Sequence, residues 1–384
     1  MLQALPLDVK IRKTQQRIHE WVDEYGEDGV YVSFSGGKDS TVLLHIIRQM
    51  YPDIQAVFSD TGLEYPAIRR FVSINKKVTW LKPKMNFKDV IINYGYPVIG
   101  KEVAEYVWTV RHSGEGSYKE GRKQRLMGTY KRRDGKLSQY NRPKWGFLLE
   151  APFEISPMCC MKMKKEPMNQ YAKANGKFPI MATMTQESKL RETKWLKNGC
   201  NAFVSKRPDS TPMAFWIEQD VLKYLYVYHD DIVRTLIDGA AIEGIESFNP
   251  WAECYGQIIM HITEDEIKGQ ISIQEVLQDY RECKFCTTGC KRTGCIFCLF
   301  GITQDPERIK RVQEQEPVIA DFVLRGGEFN KKGMWQPSKE GMGFWFVIRW
   351  LVIHGNLYIP FLNGKEYEDK YGNELTQELL SIQN

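Results

Sequence analysis

The sequence predicts an α/β fold: a doubly wound, mostly parallel sheet followed by a C-terminal helical, cysteine-containing extension. Short apolar stretches alternate with stretches of helical periodicity over the first hundred residues, which is the pattern of parallel β-α units. In addition, a Gly-Gly turn at residues 35–40 separates the first apolar stretch from the next helical one. Ligands of such sheets bind at the carboxyl ends of the strands, where this turn is expected to lie.

The elements follow in order along the chain. Helical spacing covers residues 10–25, an apolar strand covers 30–34, and a helix runs from the turn to about residue 50. Further strands are predicted at 54–59 and 78–81, and helices at 305–324 and 344–354. We expect a nucleotide-binding α/β domain over 1–250, with a basic insertion at about 109–145, and a cysteine-rich, helical region over 251–384.

Composition favours a soluble protein with a sizeable core. The chain has 384 residues, 42% of them hydrophobic and 26% charged. The first residues lack an apolar run behind a basic head, and the apolar stretch 344–354 is short and contains Arg349, so we expect a cytoplasmic protein without membrane contact. Nine cysteines in such a chain indicate reduced thiols and metal or cluster ligation rather than disulfides.

The turn has the composition of a phosphate-binding loop. Gly36 and Gly37 allow a tight turn and a close approach of the backbone, and the first amides of the following helix attract an anion. Lys38 adds a positive charge, and the hydroxyls of Ser35 and Ser40 add hydrogen-bond donors. Because Lys38 is followed by an aspartate rather than by serine or threonine, this is not the common P-loop.

The second strand ends in another polar turn. Asp60, Thr61 and Gly62 follow it directly, which would bring a carboxylate and a hydroxyl to the same edge of the sheet as the first turn. An incidental loop of this composition is the alternative, but the position after a strand favours a wall of the nucleotide site.

Both turns resemble a known family. SFSGGKDS at 33–40 resembles the loop of the PP-loop ATP pyrophosphatases, which have the adenine nucleotide alpha hydrolase-like fold. Together with SDTGLEYP at 59–66, it is similar to the phosphoadenylyl-sulfate (PAPS) reductase family. The resemblance implies an adenine nucleotide, ATP or a sulfonucleotide, together with Mg²⁺. It assigns nucleotide contacts to both turns and catalytic roles to three of their residues. The nucleotide contacts are Ser35, Gly36, Gly37, Lys38, Asp39, Ser40, Asp60, Thr61 and Gly62, and the catalytic residues are Lys38, Asp39 and Asp60.

The resemblance continues downstream. Residues 182–191 (ATMTQESKLR) resemble the family's strand and Glu-Ser-x-x-Arg stretch, and residues 215–221 (FWIEQDV) resemble its Trp-Thr-Glu-x-Asp-Val helix start. It implies contacts with an anionic substrate by basic residues after the Cys-Cys pair at 159–160 and by the Glu-Ser-x-x-Arg stretch. These candidate substrate-binding residues are Lys162, Lys165, Glu187 and Arg191.

The clustered cysteines have two interpretations. In the family, a Cys-Cys pair followed by basic residues and a proline, with a later C-x-x-C, binds a 4Fe-4S cluster. The resemblance therefore implies Cys159, Cys160, Cys295 and Cys298 as the cluster ligands of this chain. A single zinc ion between Cys283-x-x-Cys286 and Cys295-x-x-Cys298 is the alternative, with Cys290 as a further ligand. It leaves the Cys159-Cys160 pair unexplained. Cys200 and Cys254 are expected to be core cysteines.

Three functions remain in contention. Thioredoxin-linked reductases of the family use a cysteine near the C-terminus, and here none follows Cys298. We therefore expect an enzyme that binds ATP, releases pyrophosphate and couples adenylyl activation to sulfur transfer, with a cysteine desulfurase or another thiol donor as partner. The alternatives are a sulfonucleotide reductase and a non-catalytic regulator that binds nucleotide and DNA.

The segment 111–144 is strongly basic. Eleven Lys and Arg residues stand against three Asp and Glu, giving +8, whereas the whole chain is +5. Tyr118, Tyr130, Tyr140 and Trp145 are interleaved with these charges or flank them, which suits nucleic-acid binding by phosphate contacts and base stacking. A solvated lid over an anionic ligand explains the same composition.

Overall fold

A computed structural model describes residues 2–261 and 284–360. The chain forms two compact units, each made of two stretches. The first unit comprises Met1–Lys82 and Pro167–Gly294, and the second comprises Pro83–Glu166 and Cys295–Asn384. The division into 1–250 and 251–384 stays a prediction.

Ten strands occur within the described ranges. They are β1 (Val30–Ser33), β2 (Ala56–Ser59), β3 (Val78–Leu81), β4 (Val98–Ile99), β5 (Phe178–Met181), β6 (Ile258–His261), β7 (Lys284–Thr287), β8 (Leu299–Phe300), β9 (Glu328–Phe329) and β10 (Trp335–Gln336).

The α-helices of the same ranges are α1 (Leu7–Tyr25), α2 (Lys38–Met50), α3 (Pro66–Ser73), α4 (Phe87–Tyr94), α5 (Lys101–His112), α6 (Ser117–Met127), α7 (Met158–Cys160), α8 (Glu166–Asn175), α9 (Lys189–Asn198), α10 (Glu218–Val227), α11 (His229–Leu236), α12 (Arg308–Gln315), α13 (Pro317–Leu324) and α14 (Phe344–Gly355). A π-helical turn, Met161–Lys165, joins α7 to α8.

A four-stranded parallel sheet forms the centre of the first unit. Its order is β3-β2-β1-β5, and every neighbouring pair is parallel. The buried residues Val30, Tyr31 and Val32 of β1 explain its central place, because a strand covered on both faces is apolar throughout. Helices flank the sheet, so the predicted α/β class is confirmed. Since β1 and β2 are parallel neighbours, the turns at 34–37 and 60–65 follow the same ends of adjacent strands.

Helices α1, α10 and α11 pack with α2. The residues 216–220, expected to begin a helix, explain part of this packing. The indole of Trp216 is buried and donates to Thr14 Oγ1 at 2.8 Å, and Asp220 pairs with the buried Lys10 Nζ at 2.5 Å. Asp220 also accepts from the Ile217 amide at 2.8 Å, which caps the start of α10.

The second unit contains two small sheets: β4 pairs with β8 in parallel, and β9 with β10 antiparallel. The predicted core helix at 344–354 is confirmed as α14, with seven buried residues. Helix α6 lies within the basic segment, and the end of α5 and the start of the 3₁₀ segment Pro143–Glu150 extend into it. Among the described helices, none combines the length and hydrophobicity that crossing a bilayer requires.

Candidate functional site

The Gly-Gly turn connects β1 to α2 in the first unit. Gly37 is the N-cap of α2, and Gly36 has a φ of +69°, in the left-handed region that favours glycine. A Cβ on Gly36 would lie 2.7 Å from Val72 Cγ2 and 2.8 Å from Ile68 Cγ2. The turn therefore requires glycine at this position for both conformation and space.

Two serines stabilise the turn from within. Ser35 Oγ and Ser40 Oγ are 3.0 Å apart, and the Gly37 amide donates to Ser35 Oγ at 3.3 Å. Ser40 Oγ and Thr41 Oγ1 both donate to the Gly37 carbonyl, at 2.9 and 3.0 Å. The hydroxyls expected to contact phosphate thus hold the shape of the turn in this structure.

Lys38 is almost fully buried, with 4% of its surface exposed. Its ammonium donates to the carbonyl of Lys291 at 2.9 Å and lies 3.1 Å from Glu218 Oε1. Its backbone amide, the first of α2, donates to the Tyr255 hydroxyl at 3.3 Å. The positive charge of the turn is therefore held by one carboxylate and one carbonyl, partners that a phosphate group can replace.

A polar cavity of about 170 Å³ opens at this end of α2. Its lining contains both basic and acidic side chains, and consists of Ser35, Gly37, Lys38, Asp39, Met184, Glu187, Glu218, Tyr255, Arg292 and Thr293. The volume is below the usual 300–1,000 Å³ of sites that enclose whole small molecules. It suits the phosphate part of a nucleotide.

The Asp39 carboxylate in the lining of this cavity lacks a hydrogen-bond partner on one of its oxygens within the described part of the chain. Its Oδ1 is buried and has no hydrogen-bond partner among the described residues. Burial raises the pKa of this carboxyl above its usual value, and the neighbouring Glu187 and Glu218 act in the same direction against Lys38 and Arg292. A cation at this carboxylate would offset its cost of burial.

Tyr255, Arg292 and Thr293 belong to the site but were not predicted. The Tyr255 hydroxyl lies 2.7 Å from Thr293 Oγ1, and both oxygens would be 3.3–3.4 Å from a Cβ on Gly37. Burial raises the pKa of Tyr255 far above its usual value, so this hydroxyl stays protonated. The basic pair at 291–292, between two cysteines, was the signal available in the sequence.

The second turn is held by its own side chains. Asp60 Oδ1 accepts from the Gly62 amide at 3.1 Å, and its Oδ2 pairs with Arg69 at 2.9 Å. The buried Glu64 carboxylate accepts from both the amide and the hydroxyl of Thr61. Asp60, Thr61 and Gly62 belong to the first unit, but they are not among the residues that line the described cavity.

Of the four candidate substrate-binding residues, one lines the cavity. Glu187 accepts from the Met184 amide at 3.2 Å and pairs with Arg191, whose amide donates to Ser188 Oγ at the start of α9. Lys162 and Lys165 belong to the second unit, where Lys162 pairs with Glu166 at 2.7 Å and Lys165 is exposed.

The four candidate cluster ligands all belong to the second unit. Burial raises the pKa of Cys159 well above its usual value, and the thiols of Cys295, Cys160 and Cys298 raise it further. Burial with Cys295 and Cys160 likewise raises the pKa of Cys298 to about 12. Folding therefore brings these thiols near one another. Across the described ranges, no three or more His, Cys, Asp or Glu side chains are grouped as ligands of a metal ion.

The other described cysteines belong to the first unit. Cys286 lies 3.1 Å from His261 Nε2 on the paired strands β6 and β7, and Cys200 accepts from the Trp195 indole at 3.4 Å. Cys283, needed for the zinc alternative, lies outside the described residues.

Comparison with known proteins identifies the segment around the loop. Residues 29–108 match the family model for the phosphoadenosine phosphosulfate reductase domain. A phosphoadenosine 5'-phosphosulfate reductase of Xanthomonas axonopodis pv. citri is 34% identical over 70 residues, and one of Xylella fastidiosa is 33% identical over 70 residues. Each alignment covers 18% of this chain and 29% of the relative.

A solved structure, the PAPS reductase of Candida auris in a phosphate complex, aligns with 61% of this chain and 86% of its own, at 13% identity and a TM-score of 0.32. The matched residues 29–108 contain the glycine-rich loop, Asp60 and the strands β1 to β3. Through this segment, the chain is similar to the phosphoadenosine phosphosulfate reductase family, and it spans less than a third of the length of the reductases it matches.

Proposed function

We propose that this protein is an enzyme that binds ATP at residues 35–40, releases pyrophosphate and couples adenylyl activation of an acceptor to sulfur transfer. In the first step, an acceptor atom bonds to the α-phosphorus while the bond to the bridging oxygen of the β-phosphate breaks. Pyrophosphate leaves with the electron pair. The terminal persulfide sulfur of a donor such as a cysteine desulfurase then bonds to the activated acceptor and displaces AMP. A dithiol reductant cleaves the remaining sulfur–sulfur bond, which releases the thiolated acceptor and the donor cysteine.

The observation that carries this proposal is the position of Lys38 at the start of α2. The amides at a helix start favour an anion, and among the described residues the Lys38 ammonium pairs with the Glu218 carboxylate and donates to the Lys291 carbonyl. A phosphate group can replace Glu218 and the Lys291 carbonyl without leaving a buried charge unpaired. The small polar cavity supports the same interpretation.

Asp39 fits the expected Mg²⁺. Its buried, unpartnered Oδ1 is a carboxylate oxygen, the ligand type that Mg²⁺ prefers. Bound magnesium neutralises phosphate charge. Asp60 is less available because Arg69 and the Gly62 amide already use its two oxygens, so we assign it to shaping the turn beside the nucleotide.

The proximity of Cys159, Cys160, Cys295 and Cys298 supports the 4Fe-4S assignment. Ligands of a cubane bind different iron atoms, so they stand further apart than the ligands of one ion. A bound cluster supplies a redox-active centre. We assign Arg191 and Glu187 to substrate binding beside the cavity, and Lys162 and Lys165 to the anionic substrate near the cysteines of the second unit.

A sulfonucleotide reductase is the second candidate, because the family match concerns the same loop and the relatives are named PAPS reductases. Both candidates use the phosphate site and differ in the bond that breaks. Sulfite release from a sulfonucleotide in the presence of a dithiol, without pyrophosphate release from ATP, would favour the reductase.

We also propose that nucleic acid contacts the basic segment through its turn at 131–137. Tyr118 and Tyr130 lie under the guanidinium groups of Arg122 and Arg125, at 4.6 and 4.4 Å, so these rings are used within the segment. The turn, in contrast, exposes Lys131, Arg132, Arg133 and Lys136. Alanine at all four should weaken binding to DNA or RNA and flatten its salt dependence in a filter-binding assay. An unchanged salt dependence would argue against this contact.

Pyrophosphate release from ATP and Mg²⁺ tests the main proposal. Lys38→Ala should reduce it at least a hundredfold, because the charge that faces the phosphates is lost. Lys194→Ala is the matched control, since Lys194 forms an exposed ion pair with Asp209 in the same unit. Equal rates in the Lys38→Ala and wild-type proteins would remove the loop from the mechanism.

A further inference from the structure

Two cysteines outside the candidate cluster are held together beside the loop. The Cys290 amide donates to the Cys254 carbonyl at 2.8 Å, and the neighbouring Gly289 amide donates to Tyr255 at 2.9 Å. A Cβ on Gly289 would lie 2.4 Å from the Cys254 carbonyl oxygen, so only glycine permits this approach. Gly256 has a φ of +68°, and a Cβ added to it would lie 2.2 Å from Thr288 Oγ1.

The two side chains also meet. The Cys290 thiol is hydrogen-bonded with the Cys254 thiol, and this contact, followed by burial, raises the pKa of Cys254 far above its usual value. Cys290 is buried, whereas Cys254 is half-buried. Cys254 is therefore the more exposed residue of the pair, and Cys290 is the more protected one.

Both cysteines adjoin residues that contact the loop. Tyr255, next to Cys254, accepts from the Lys38 amide. Lys291, next to Cys290, accepts from the Lys38 ammonium, and Thr293 contacts the Tyr255 hydroxyl. A covalent link between the two sulfurs would fix both neighbours of Lys38 in one arrangement.

We propose that Cys254 and Cys290 form a reversible disulfide that fixes residues 291–293 over the phosphate-binding loop. In the oxidised form, in which the disulfide is present, the Lys291 carbonyl keeps its hydrogen bond with the Lys38 ammonium. The ammonium then cannot turn to a phosphate, so nucleotide binding weakens. The disulfide itself stands on the geometry of the pair, while the effect on nucleotide binding rests on the proposed function.

The oxidant is a low-molecular-weight disulfide such as oxidised glutathione. The sulfur of Cys254, after its proton has been removed by a base, attacks one glutathione sulfur, which forms a mixed disulfide and releases one glutathione thiol. Because the pKa of Cys254 is raised, we expect this step to be faster at alkaline pH. The sulfur of Cys290 then attacks that of Cys254 and releases the second. Two cysteine thiols are oxidised, one glutathione disulfide is reduced, and both thiol protons leave on the glutathione released.

The first test is chemical. The full-length, anaerobically purified protein is treated with oxidised glutathione, remaining thiols are alkylated, and peptides are analysed by mass spectrometry. We expect a Cys254–Cys290 crosslinked peptide that is absent after reduction and absent from Cys290→Ser, but unchanged in the control Cys200→Ser. Separate alkylation of both cysteines in the wild-type protein, or a zinc ion bound by them, would overturn the proposal.

The second test measures the loop without any nucleotide. Hydrogen exchange of peptides that cover residues 288–294 should slow at least tenfold on oxidation of the wild-type protein and return on reduction. Unchanged exchange with the crosslink present would refute the fixing of residues 291–293. ATP affinity should fall several-fold on oxidation, and not in Cys290→Ser. Equal affinity in both redox states would refute the effect on binding, whereas absent binding in both would count against the proposed function alone.

Discussion

At the scale of single residues, the turn at residues 35–40, proposed to bind phosphate, combines strict geometric requirements with an electrostatic cost. Gly36 is required by its positive φ and by its contact with Val72 and Ile68. Asp39 is half-buried, and its buried Oδ1 has no hydrogen-bond partner among the described residues. Such costs are typical of binding sites, where stability is lost in favour of a ligand.

Gly36→Ala should destabilise the protein by about 3 kcal/mol, because left-handed strain and steric overlap add. Gly62→Ala is the control: its φ is +73°, but nothing lies within 4 Å of the added Cβ, so only strain of about 1 kcal/mol is expected. Urea unfolding of both variants measures the difference. Equal losses would show that crowding at Gly36 is negligible.

Asp39→Asn should stabilise the protein at neutral pH, because the folded state raises the pKa of Asp39. The wild-type protein binds this proton more tightly when folded, so it loses stability as pH rises from the ordinary pKa through the raised one. The advantage of the asparagine variant should therefore vanish in acid and grow toward neutral pH. Thermal unfolding across this range checks it, and a constant difference would contradict the assignment.

At the scale of elements, the start of α10 connects two helices with the loop. Trp216 packs against α1, Glu218 pairs with Lys38, and Asp220 pairs with Lys10 of α1. One short stretch thus serves both the core and the site.

Asp220→Ala should cost about 3–5 kcal/mol, because it leaves the buried ammonium of Lys10 without its carboxylate. Asp8→Ala, which breaks the exposed pair with Arg12 on the same helix, should cost less than about 1 kcal/mol. Denaturant midpoints of the two variants give the comparison. A loss of similar size in both would mean that Lys10 finds another partner.

At the scale of the whole molecule, the candidate chemistry is divided between the two compact units. The loop proposed to bind phosphate belongs to the first unit, and the cysteines assigned to the cluster belong to the second, although 159–160 and 295–298 are far apart in the sequence. Each site can therefore be tested through its own residues.

Anaerobically purified protein should be brown and contain about four irons per chain. Cys159→Ser should lower the iron content. Cys200→Ser should retain it, because Cys200 belongs to the first unit, where its sulfur accepts a hydrogen bond from the Trp195 indole. Iron analysis and the visible spectrum measure both. A colourless wild-type protein with one zinc would contradict the cluster assignment.

The predicted strand at 78–81 coincides with β3, and the predicted helices at 10–25 and up to residue 50 correspond to α1 and α2. Local patterning suffices for these elements because apolar spacing reflects the face that each one buries. The contacts of Tyr255 and Lys291 with Lys38 could not be predicted, since they join positions more than 200 residues apart and no periodic pattern marks them.

The sequence by itself determined the α/β class, the glycine-rich, lysine-containing composition of the turn at residues 35–40 and the family resemblance, because these depend on local spacing and residue type. Only the tertiary structure decided that Lys38 is held by Glu218 and Lys291, that Asp39 is buried beside them, and that Cys254 meets Cys290. Burial and pairing arise when distant segments pack together, so they are properties of the folded chain.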